Sequence, residues 1–296
     1  MSLRNHPVMH SLQSRWQMDL RDRSGTAPDS LTDLQFEFLS TLAEAESGIV
    51  LSESKRPMLY ARLVRRLNEL NLRSFDAYID LLKTGNSGEL DDFTNRVTTN
   101  LTYFFREPGH FAFLKNQVLP KLQQQNRSAK PLRIWSAGCS TGQEPYSLAM
   151  TVESARPSPF RETRILCTDL NTRVLRQAAA GRYKSEDLRG LTDQQRERWF
   201  SKTAQNEYLC DPRLKNMLIF KRLNLLKPWP IKPEVDVIFC RNVLIYFSRQ
   251  NHKLLLERFA KLLKVEGYLF LGHSESLSFA TRYFERVSAT VYKRVC

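Results

Sequence analysis

The chain of 296 residues carries 45 Lys and Arg against 31 Asp and Glu, so its formal net charge is +14. A hydrophobic fraction of 42% suffices for a buried core, and no apolar run reaches the ~18–20 residues that would span a membrane. The five cysteines form no C-x-x-C pair, which indicates neither a zinc site nor a disulfide framework and favours a soluble, cytoplasmic protein.

The N-terminal third is predicted to be helical. Residues 1–30 are polar, lack periodicity and are interrupted by proline and glycine, so we expect a mobile tail without a signal peptide. Residues 31–98 repeat a pattern of caps, helically spaced apolar residues and stops, which indicates a small all-α domain. In chain order, the predicted helices are one between Thr32 and Gly48, one that opens at Ser54, Phe75–Lys83 and Glu89–Thr98.

The helix that opens at Ser54 is amphipathic and strongly basic. Its apolar stripe comprises Met58, Leu59, Leu63, Leu67 and Leu70. Its opposite face comprises Lys55, Arg62, Arg65, Arg66 and, nearby, Arg56. Such a face suits an acidic partner, although solvated charges are also common on the outer side of helices.

From Leu132 onwards, strands alternate with helices, which predicts an α/β domain with a largely parallel sheet over residues 132–296. The predicted strands are Leu132–Ser136, Arg164–Thr168, Leu218–Arg222, Val235–Cys240, Tyr268–Gly272 and Thr290–Arg294. The helices between them are Glu144–Ala155, Arg173–Ala180 and Gln250–Leu263. Residues 99–131 form a linker and a first helix. Residues 183–222 are too long for a simple connection and predict an inserted subdomain.

The turn after the first strand is the first candidate ligand site. It reads WSAGCSTGQEPY, and its glycines, Gly138 and Gly142, let the backbone approach a ligand at a helix N-terminus. The spacing matches neither a dinucleotide fingerprint nor a P-loop. Asp169, at the end of the second strand, is suited to accept hydrogen bonds from two ribose hydroxyls. These features predict that the ligand is a nucleoside without phosphates. S-adenosylmethionine fits, because its positively charged sulfonium can lie near the carboxylate of Glu144. The alternative is that the two glycines only form a turn and that the aspartate only caps a helix.

The segment that joins the two domains is unusually aromatic. Residues 98–107 read TTNLTYFFRE, which differs from the bland, polar sequence of most linkers. We interpret it either as a lid over the ligand that contributes Arg106, or as a hydrophobic docking strap with Arg106 solvated.

Polar residues also follow two later strands at the edge where ligands bind in open parallel sheets. Residues 239–247, FCRNVLIYF, leave a buried strand and place Arg241, Asn242 and Tyr246 there, although a tyrosine in such a position is often part of the core. Residues 272–275, GHSE, leave the next strand at the same edge, and we do not interpret the histidine as a base.

These segments resemble the chemotaxis receptor glutamate O-methyltransferase family (CheR). The resemblance rests on TTNLTYFFRE, SAGCSTGQEPYSLAM, FCRNVLIYF and GHSESL in this order and covers about residues 31–294. It implies an enzyme that uses S-adenosylmethionine to methylate glutamate side chains on cytoplasmic chemoreceptor helices, with S-adenosylhomocysteine as product. The implied fold is a helical N-terminal domain, a linker and a class I, Rossmann-like methyltransferase domain with a small inserted antiparallel β-subdomain.

The resemblance also implies the site residues. The implied cofactor contacts are Asn100, Thr102, Arg106, Glu144, Asp169, Asn224, Leu225, Arg241 and Asn242, to which we add Gly138 of the glycine turn. Arg106 and Tyr246 are the expected catalytic residues, because they would orient the acceptor carboxylate. An unperturbed glutamate titrates near ~4.3, so the nucleophile is already ionised, and we predict neither a strong base nor a metal.

The implied partners are glutamate-rich receptor helices, docked on the basic helix through Arg62, Arg65 and Arg66. We expect a monomer that neither binds nucleic acid nor inserts into a membrane. The compact, glycine-free segment Ser201–Asp211 favours a member that needs no tether to a receptor C-terminus. A nucleic-acid methyltransferase with the same cofactor fold is the alternative, although RNVLIY replaces the N-P-P-Y typical of base methylation and the linker aromatics are not interleaved with basic residues.

Overall fold

The computed structural model describes residues 30–125, 131–155, 162–232, 234–277 and 282–296, so the tail predicted for residues 1–30 lies almost wholly outside the described residues. The described residues form two compact units that divide between Thr99 and Asn100. The first unit is helical, and the second is built on a mixed sheet.

Two helices of the first unit begin at caps that were predicted from the sequence, and the fourth, predicted from Glu89, begins at Ser87 after the cap Asn86. Its α-helices are α1 (Asp33–Ser47), α2 (Arg56–Glu69), α3 (Phe75–Lys83) and α4 (Ser87–Val97). The side chains of Thr32 and Ser74 cap α1 and α3, and Gly48 ends α1 in the left-handed conformation. The second helix begins two residues after the predicted Ser54, which instead lies in a short 3₁₀ turn.

The face of α2 that was predicted to be basic is largely used inside this unit. Arg66 Nη2 lies 2.5 Å from Oε2 of the buried Glu89 on α4. Arg62 Nη1 donates to the backbone carbonyls of residues 96–98, each at 3.0 Å, and so satisfies the end of α4. Arg65 is exposed. Arg62 and Arg66 thus already have partners inside this unit, and docking of an external partner on these three arginines stays a prediction.

The second unit alternates strands and helices, as predicted. In chain order its elements are α5 (Pro108–Phe113), a π-helical turn (Leu114–Val118), α6 (Leu119–Gln125), β1 (Leu132–Ala137), α7 (Gln143–Ser154), β2 (Thr163–Asp169), α8 (Thr172–Ala180), β3 (Arg182–Tyr183), a 3₁₀ turn (Ser185–Leu188), α9 (Asp193–Trp199), β4 (Phe200–Lys202), β5 (Tyr208–Cys210), α10 (Pro212–Lys215), β6 (Leu218–Arg222), β7 (Val235–Cys240), a 3₁₀ turn (Leu244–Tyr246), α11 (Arg249–Leu262), β8 (Leu263–Leu271), β9 (Phe284–Ser288) and β10 (Val291–Arg294). This pattern confirms the α/β fold class.

The main sheet has the strand order β6-β2-β1-β7-β8-β10-β9. The first five strands are parallel, and β10 runs antiparallel to both of its neighbours. Every residue of β7 is buried, as its continuous apolar sequence predicted. Leu148 of α7 and Phe259 of α11 belong to separate hydrophobic clusters, so the sheet carries a core on each face.

The insertion is smaller than predicted. Its antiparallel sheet, in the order β3-β5-β4, begins at Arg182, and the insertion ends with α10 at Lys215. Residues Leu218–Arg222 do not belong to it, because they form β6 and pair in parallel with β2 of the main sheet. The predicted limits of 183–222 therefore included a strand of the main sheet.

The insertion packs directly on residues 100–107, which we name the strap. Phe104 N donates to Arg189 O at 3.2 Å, and the Phe104 ring makes edge contacts with Tyr183 and Phe200 at 5.2 and 5.6 Å. Gly190 has a φ of +94°, and a Cβ there would lie 1.9 Å from Phe104 O. Glycine is required at this position because the two backbones approach too closely for any side chain.

Replacing Gly190 with alanine is expected to destabilise the second unit. A left-handed conformation alone costs a non-glycine residue roughly 1–2 kcal/mol, and the clash with Phe104 O adds about 1–3 kcal/mol. Gly85→Ala is the matched control, because Gly85 has a φ of +74° but nothing within 4 Å of an added Cβ. Urea unfolding measures both losses, and equal losses would contradict a close contact between the insertion and the strap.

Candidate functional site

The candidate site lies where neighbouring parallel strands end. Strands β1, β2, β6 and β7 lie side by side, so the residues that follow them meet at one edge of the sheet. The glycine turn follows β1, Asp169 ends β2, and Asn224 and Arg241 come shortly after β6 and β7.

A buried guanidinium connects three segments of the site. The Arg241 side chain is 2% exposed. Its Nη1 lies 3.1 Å from Glu144 Oε2, and its Nη2 lies 3.0 Å from Glu107 Oε2. Nη2 also donates to the backbone carbonyl of Arg106. Two carboxylates therefore surround one guanidinium, and their ionised forms together exceed its charge by one, which suits a cationic ligand.

The two carboxylates around Arg241 differ in their surroundings. Burial raises the pKa of the Glu144 carboxyl, although Arg241 and a hydrogen bond from Ser136 Oγ at 2.8 Å favour the ionised form. Burial would also raise the pKa of Glu107, but the charge and hydrogen bonds of Arg241 outweigh it and lower that pKa below its usual value. Glu107 is thus the firmly ionised partner.

Asp169 accepts backbone hydrogen bonds at both carboxylate oxygens. Ser140 N donates to Oδ2 at 2.8 Å, and Asn171 N donates to Oδ1 at 2.9 Å. The backbone N–H of Leu170 also stabilises this carboxylate, which keeps acceptor capacity for a ribose hydroxyl. Burial raises the pKa of Asp169, so a ligand that donates hydrogen bonds to its ionised form is favoured.

The same region contacts the strap and the residues after β6. Ser140 Oγ donates to Asn100 O at 3.0 Å, which fixes the beginning of the strap beside the glycine turn. Leu223 N donates to Asp169 O at 3.0 Å, so Asn224 and the buried Leu225 follow close to the end of β2. The structure therefore brings together the residues expected around a nucleoside.

The loop after β7 is held by a buried carboxylate to which the sequence interpretation gave no role. Glu275, 5% exposed, accepts backbone N–H groups from Gly272 and from residues 242–245, at 2.6 to 3.4 Å. Asn242, with a φ of 57°, also donates through Nδ2 to Glu107 Oε1 at 3.3 Å. Glu275 thus sets the path of the chain from Asn242 to the 3₁₀ turn that carries Tyr246.

The glycines of the turn are required for packing inside the protein. A Cβ on Gly138 would lie 2.4 Å from Val243 Cγ2, and one on Gly142 would lie 2.8 Å from the Tyr183 hydroxyl. Both glycines have positive φ angles. Close approach of a ligand, the reason inferred from the sequence, is therefore not needed to explain these two residues.

Two histidines lie against Glu107. His110 Nδ1 is 3.4 Å and His273 Nε2 is 3.8 Å from Glu107 Oε2. The donor atoms of the three side chains lie within 4.8 Å of one another, which is metal-ligand spacing. However, Arg241 Nη2 already places a positive charge 3.0 Å from the same Oε2. Burial and Arg241 lower the pKa of His110 to about 4, so this ring is neutral at physiological pH.

The remaining predicted residues are half-buried. Thr102 and Arg106 lie on the strap, and Tyr246 ends the 3₁₀ turn that follows Asn242. Arg106 Nη1 donates to Leu101 O at 2.8 Å, and its Cζ lies 6.0 Å from the centre of the Tyr103 ring.

The arrangement fits a cationic nucleoside. The net negative charge around Arg241 suits a cation, and Asp169 suits ribose. The fold and the site define a class I methyltransferase.

The comparison with known proteins agrees with this class. Residues 34–98 match the family model "CheR methyltransferase, all-alpha domain", and residues 100–293 match "CheR methyltransferase, SAM binding domain". The chain therefore belongs to the CheR methyltransferase family, and its cofactor is S-adenosylmethionine. The family was the one predicted from the sequence motifs.

Curated relatives match over most of their length. The "Chemotaxis protein methyltransferase" of Escherichia coli K12 is 42% identical over 268 residues, which cover 89% of this chain and 91% of that protein. The "Chemotaxis protein methyltransferase 2" of Pseudomonas aeruginosa is 42% identical over 250 residues, covering 83% and 88%. The "Chemotaxis protein methyltransferase" of Salmonella typhimurium is 40% identical over 268 residues, covering 89% and 91%.

Sequence reasoning missed two important carboxylates. Glu107 ends the aromatic strap motif, and Glu275 lies in GHSESL, so both were inside quoted segments. Their position in the motifs was the available signal. Their roles depend on Arg241 and on the backbone of residues 242–245, which lie far away in the sequence.

Replacing Glu275 with glutamine is expected to weaken cofactor binding. The amide keeps one acceptor oxygen and turns an NH₂ group towards the N–H donors, which leaves buried donors unpaired at a cost of roughly 2–3 kcal/mol. We expect S-adenosylhomocysteine to bind at least about tenfold more weakly, which isothermal titration measures. Glu186→Gln, on an exposed residue of the insertion, is the control. Unchanged affinity in Glu275→Gln would show that the loop keeps its path without this carboxylate.

Proposed function

We propose that this protein methylates glutamate side chains on the cytoplasmic helices of chemoreceptors and forms methyl esters. The observation that carries the proposal is Arg241 buried between Glu107 and Glu144, at the same edge of the sheet as Asp169, in a chain of the CheR family. The relatives named as chemotaxis protein methyltransferases support the same process. Ester formation on glutamate is the specific protein-glutamate O-methyltransferase activity that we infer for this chain.

The residues at the sheet edge would hold the cofactor, which supplies an electrophilic methyl group when it is bound. Asp169 would accept hydrogen bonds from the ribose hydroxyls, and Asn224 and Leu225 would border the adenine. Glu144 and Glu107 would balance the positive charge. The other proposed contacts are Asn100, Thr102, Arg106, Gly138, Arg241 and Asn242.

The acceptor needs positioning more than activation. A glutamate with a pKa near ~4.3 is ionised at neutral pH, so its oxygen requires no general base. We propose that Arg106 and Tyr246 orient this carboxylate, because holding reactive atoms ~3–3.5 Å apart makes the step effectively unimolecular. A tight bidentate pair with Arg106 would weaken the nucleophile, so contact through part of the guanidinium is expected.

A methylation assay tests this function. Wild type with labelled cofactor and a soluble cytoplasmic fragment of a chemoreceptor is expected to form base-labile methyl esters, measured as released methanol. Tyr246→Phe is expected to lower kcat about tenfold while S-adenosylhomocysteine affinity is kept, because the hydroxyl would contact only the acceptor. Asp169→Ala is the converse control, because this substitution is expected to weaken the binding of S-adenosylhomocysteine. Absence of esters with wild type would overturn the function, and full turnover in Tyr246→Phe would overturn the role of the tyrosine.

We also propose that α2 attracts the acidic receptor helices. Arg65 and Lys55 are exposed, whereas Arg62 and Arg66 serve the first unit itself. Attraction between a basic face and a glutamate-rich helix raises the association rate and is screened by salt. The docking contribution of this helix is therefore assigned mainly to Arg65.

Reversal of charge at Arg65 tests the docking proposal. Arg65→Glu is expected to lower kcat/KM for the receptor fragment about three- to tenfold at low ionic strength, and the difference should vanish near 1 M salt, where the Debye length is about 3 Å. Arg73→Glu, on an exposed residue outside α2, is the control for net charge. Equal effects of the two reversals, or a salt-independent effect, would contradict docking through α2.

The remaining expectations concern location and competing substrates. Among the described residues, no helix combines the length and apolar character that crossing a bilayer requires. We propose a cytoplasmic monomer that acts on the cytoplasmic part of the receptor. Nucleic-acid methylation, the alternative considered from the net charge, is not favoured, since the matching family and the curated relatives above are chemotaxis methyltransferases.

A further inference from the structure

We propose that Arg189 of the insertion recognises a second carboxylate beside the glutamate that is methylated. The inference rests on the proposed function and specifies its substrate. The acceptor would be a helical segment in which another acidic residue lies one turn from the methylated glutamate.

Arg189 and Arg106 share one aromatic ring. Arg189 Cζ lies 5.2 Å from the centre of the Tyr103 ring, and Arg106 Cζ lies 6.0 Å from it. Both guanidinium groups are therefore within about 6 Å of the same half-buried ring, on which cations are stabilised. One arginine comes from the strap and the other from the insertion.

The backbone of Arg189 is fixed against the strap. Its carbonyl accepts the Phe104 N–H at 3.2 Å, directly beside Tyr103. Gly190 follows at a position where a Cβ would lie 1.9 Å from Phe104 O, so the two backbones are in close contact. The position of Arg189 relative to Arg106 is therefore set by the fold and not by a free loop.

Neither of these two arginines is neutralised by the described part of the protein. No carboxylate oxygen of the described residues lies within 4.0 Å of the Arg189 or Arg106 guanidinium, whereas Arg241 and Arg66 each contact at least two carboxylates. Arg189 is exposed and Arg106 half-buried, so an incoming anion can reach both. Two positive charges at the same aromatic ring suit two negative charges on one substrate segment.

Helical spacing makes such a pair available. Side chains three or four residues apart lie on the same face of a helix, with their Cβ atoms roughly 5–6 Å apart. One carboxylate of such a pair would be oriented by Arg106 for methylation, and the other would be bound by Arg189. Arg189 would then act on substrate choice without touching the cofactor.

A double-mutant cycle tests the assignment. The probes are a soluble chemoreceptor fragment whose methylated glutamate has been mapped with wild type, and the same fragment with acidic residues three and four positions away on either side changed to glutamine. Arg189→Ala is compared with Arg198→Ala, which removes another exposed arginine of the insertion that stacks on Trp199 instead. S-adenosylhomocysteine binding is titrated for each protein.

We expect Arg189→Ala to lower kcat/KM for the unmodified fragment about tenfold, as for loss of one charge-assisted contact, with cofactor affinity unchanged. Arg198→Ala should leave it unchanged, and Arg189→Lys should restore part of it. With the fragment that carries the glutamine substitutions, the kcat/KM of wild type should fall by a similar factor. The Arg189→Ala substitution should lower kcat/KM for that fragment little further. Additive losses, an unchanged kcat/KM in Arg189→Ala or weaker cofactor binding would overturn the inference. No methylation of any fragment by wild type would instead overturn the proposed function.

Discussion

The burial of one arginine determines how the site is assembled. A guanidinium that cannot lose its charge is costly to remove from water unless carboxylates and carbonyls surround it. Arg241, at the end of β7, meets this requirement by gathering Glu107 and the carbonyl of Arg106 from the strap and Glu144 from α7. The strap cannot move away from the sheet edge without removing Glu107 and the Arg106 carbonyl from the buried guanidinium. The proposed cofactor and acceptor residues are thereby held together.

Glu275 shows the opposite arrangement a few residues away. There a buried anion is held by backbone N–H groups, which do not titrate, whereas Arg241 is held by carboxylates that do. The path of residues 242–245 is thus set by donors that carry no net charge. The charge around Arg241, in contrast, can respond to a bound cation. A rigid anchor beside an excess of negative charge is a preorganised site, in which little reorganisation is needed when the ligand enters.

Local signals explain which parts of the fold were predictable from the sequence. Thr32, Gly48 and Ser74 delimit helices through their own caps, and the continuous apolar run of β7 marked a strand buried on both faces. The polar residues after the strands were found because parallel strands end at one edge. The differences concern bounds and long-range partners. The predicted insertion overlapped Leu218–Arg222, which was also predicted as a strand and pairs with β2, and the ion pair of Arg66 with Glu89 joins residues that lie far apart in the sequence.

The strap connects the insertion, which we propose recognises the substrate, with the buried charge cluster around Arg241. The carbonyl of Arg106 is bound by Arg241, while the side chain of the same residue faces Tyr103, with Arg189 on that ring and the insertion packed on Phe104. A shift of the insertion would therefore move a residue whose backbone belongs to the buried charge cluster. Because the proposed reaction depends on placing an already ionised oxygen against a methyl group, small displacements of this kind are expected to affect rate more than binding. Under this proposal the insertion is part of the positioning machinery.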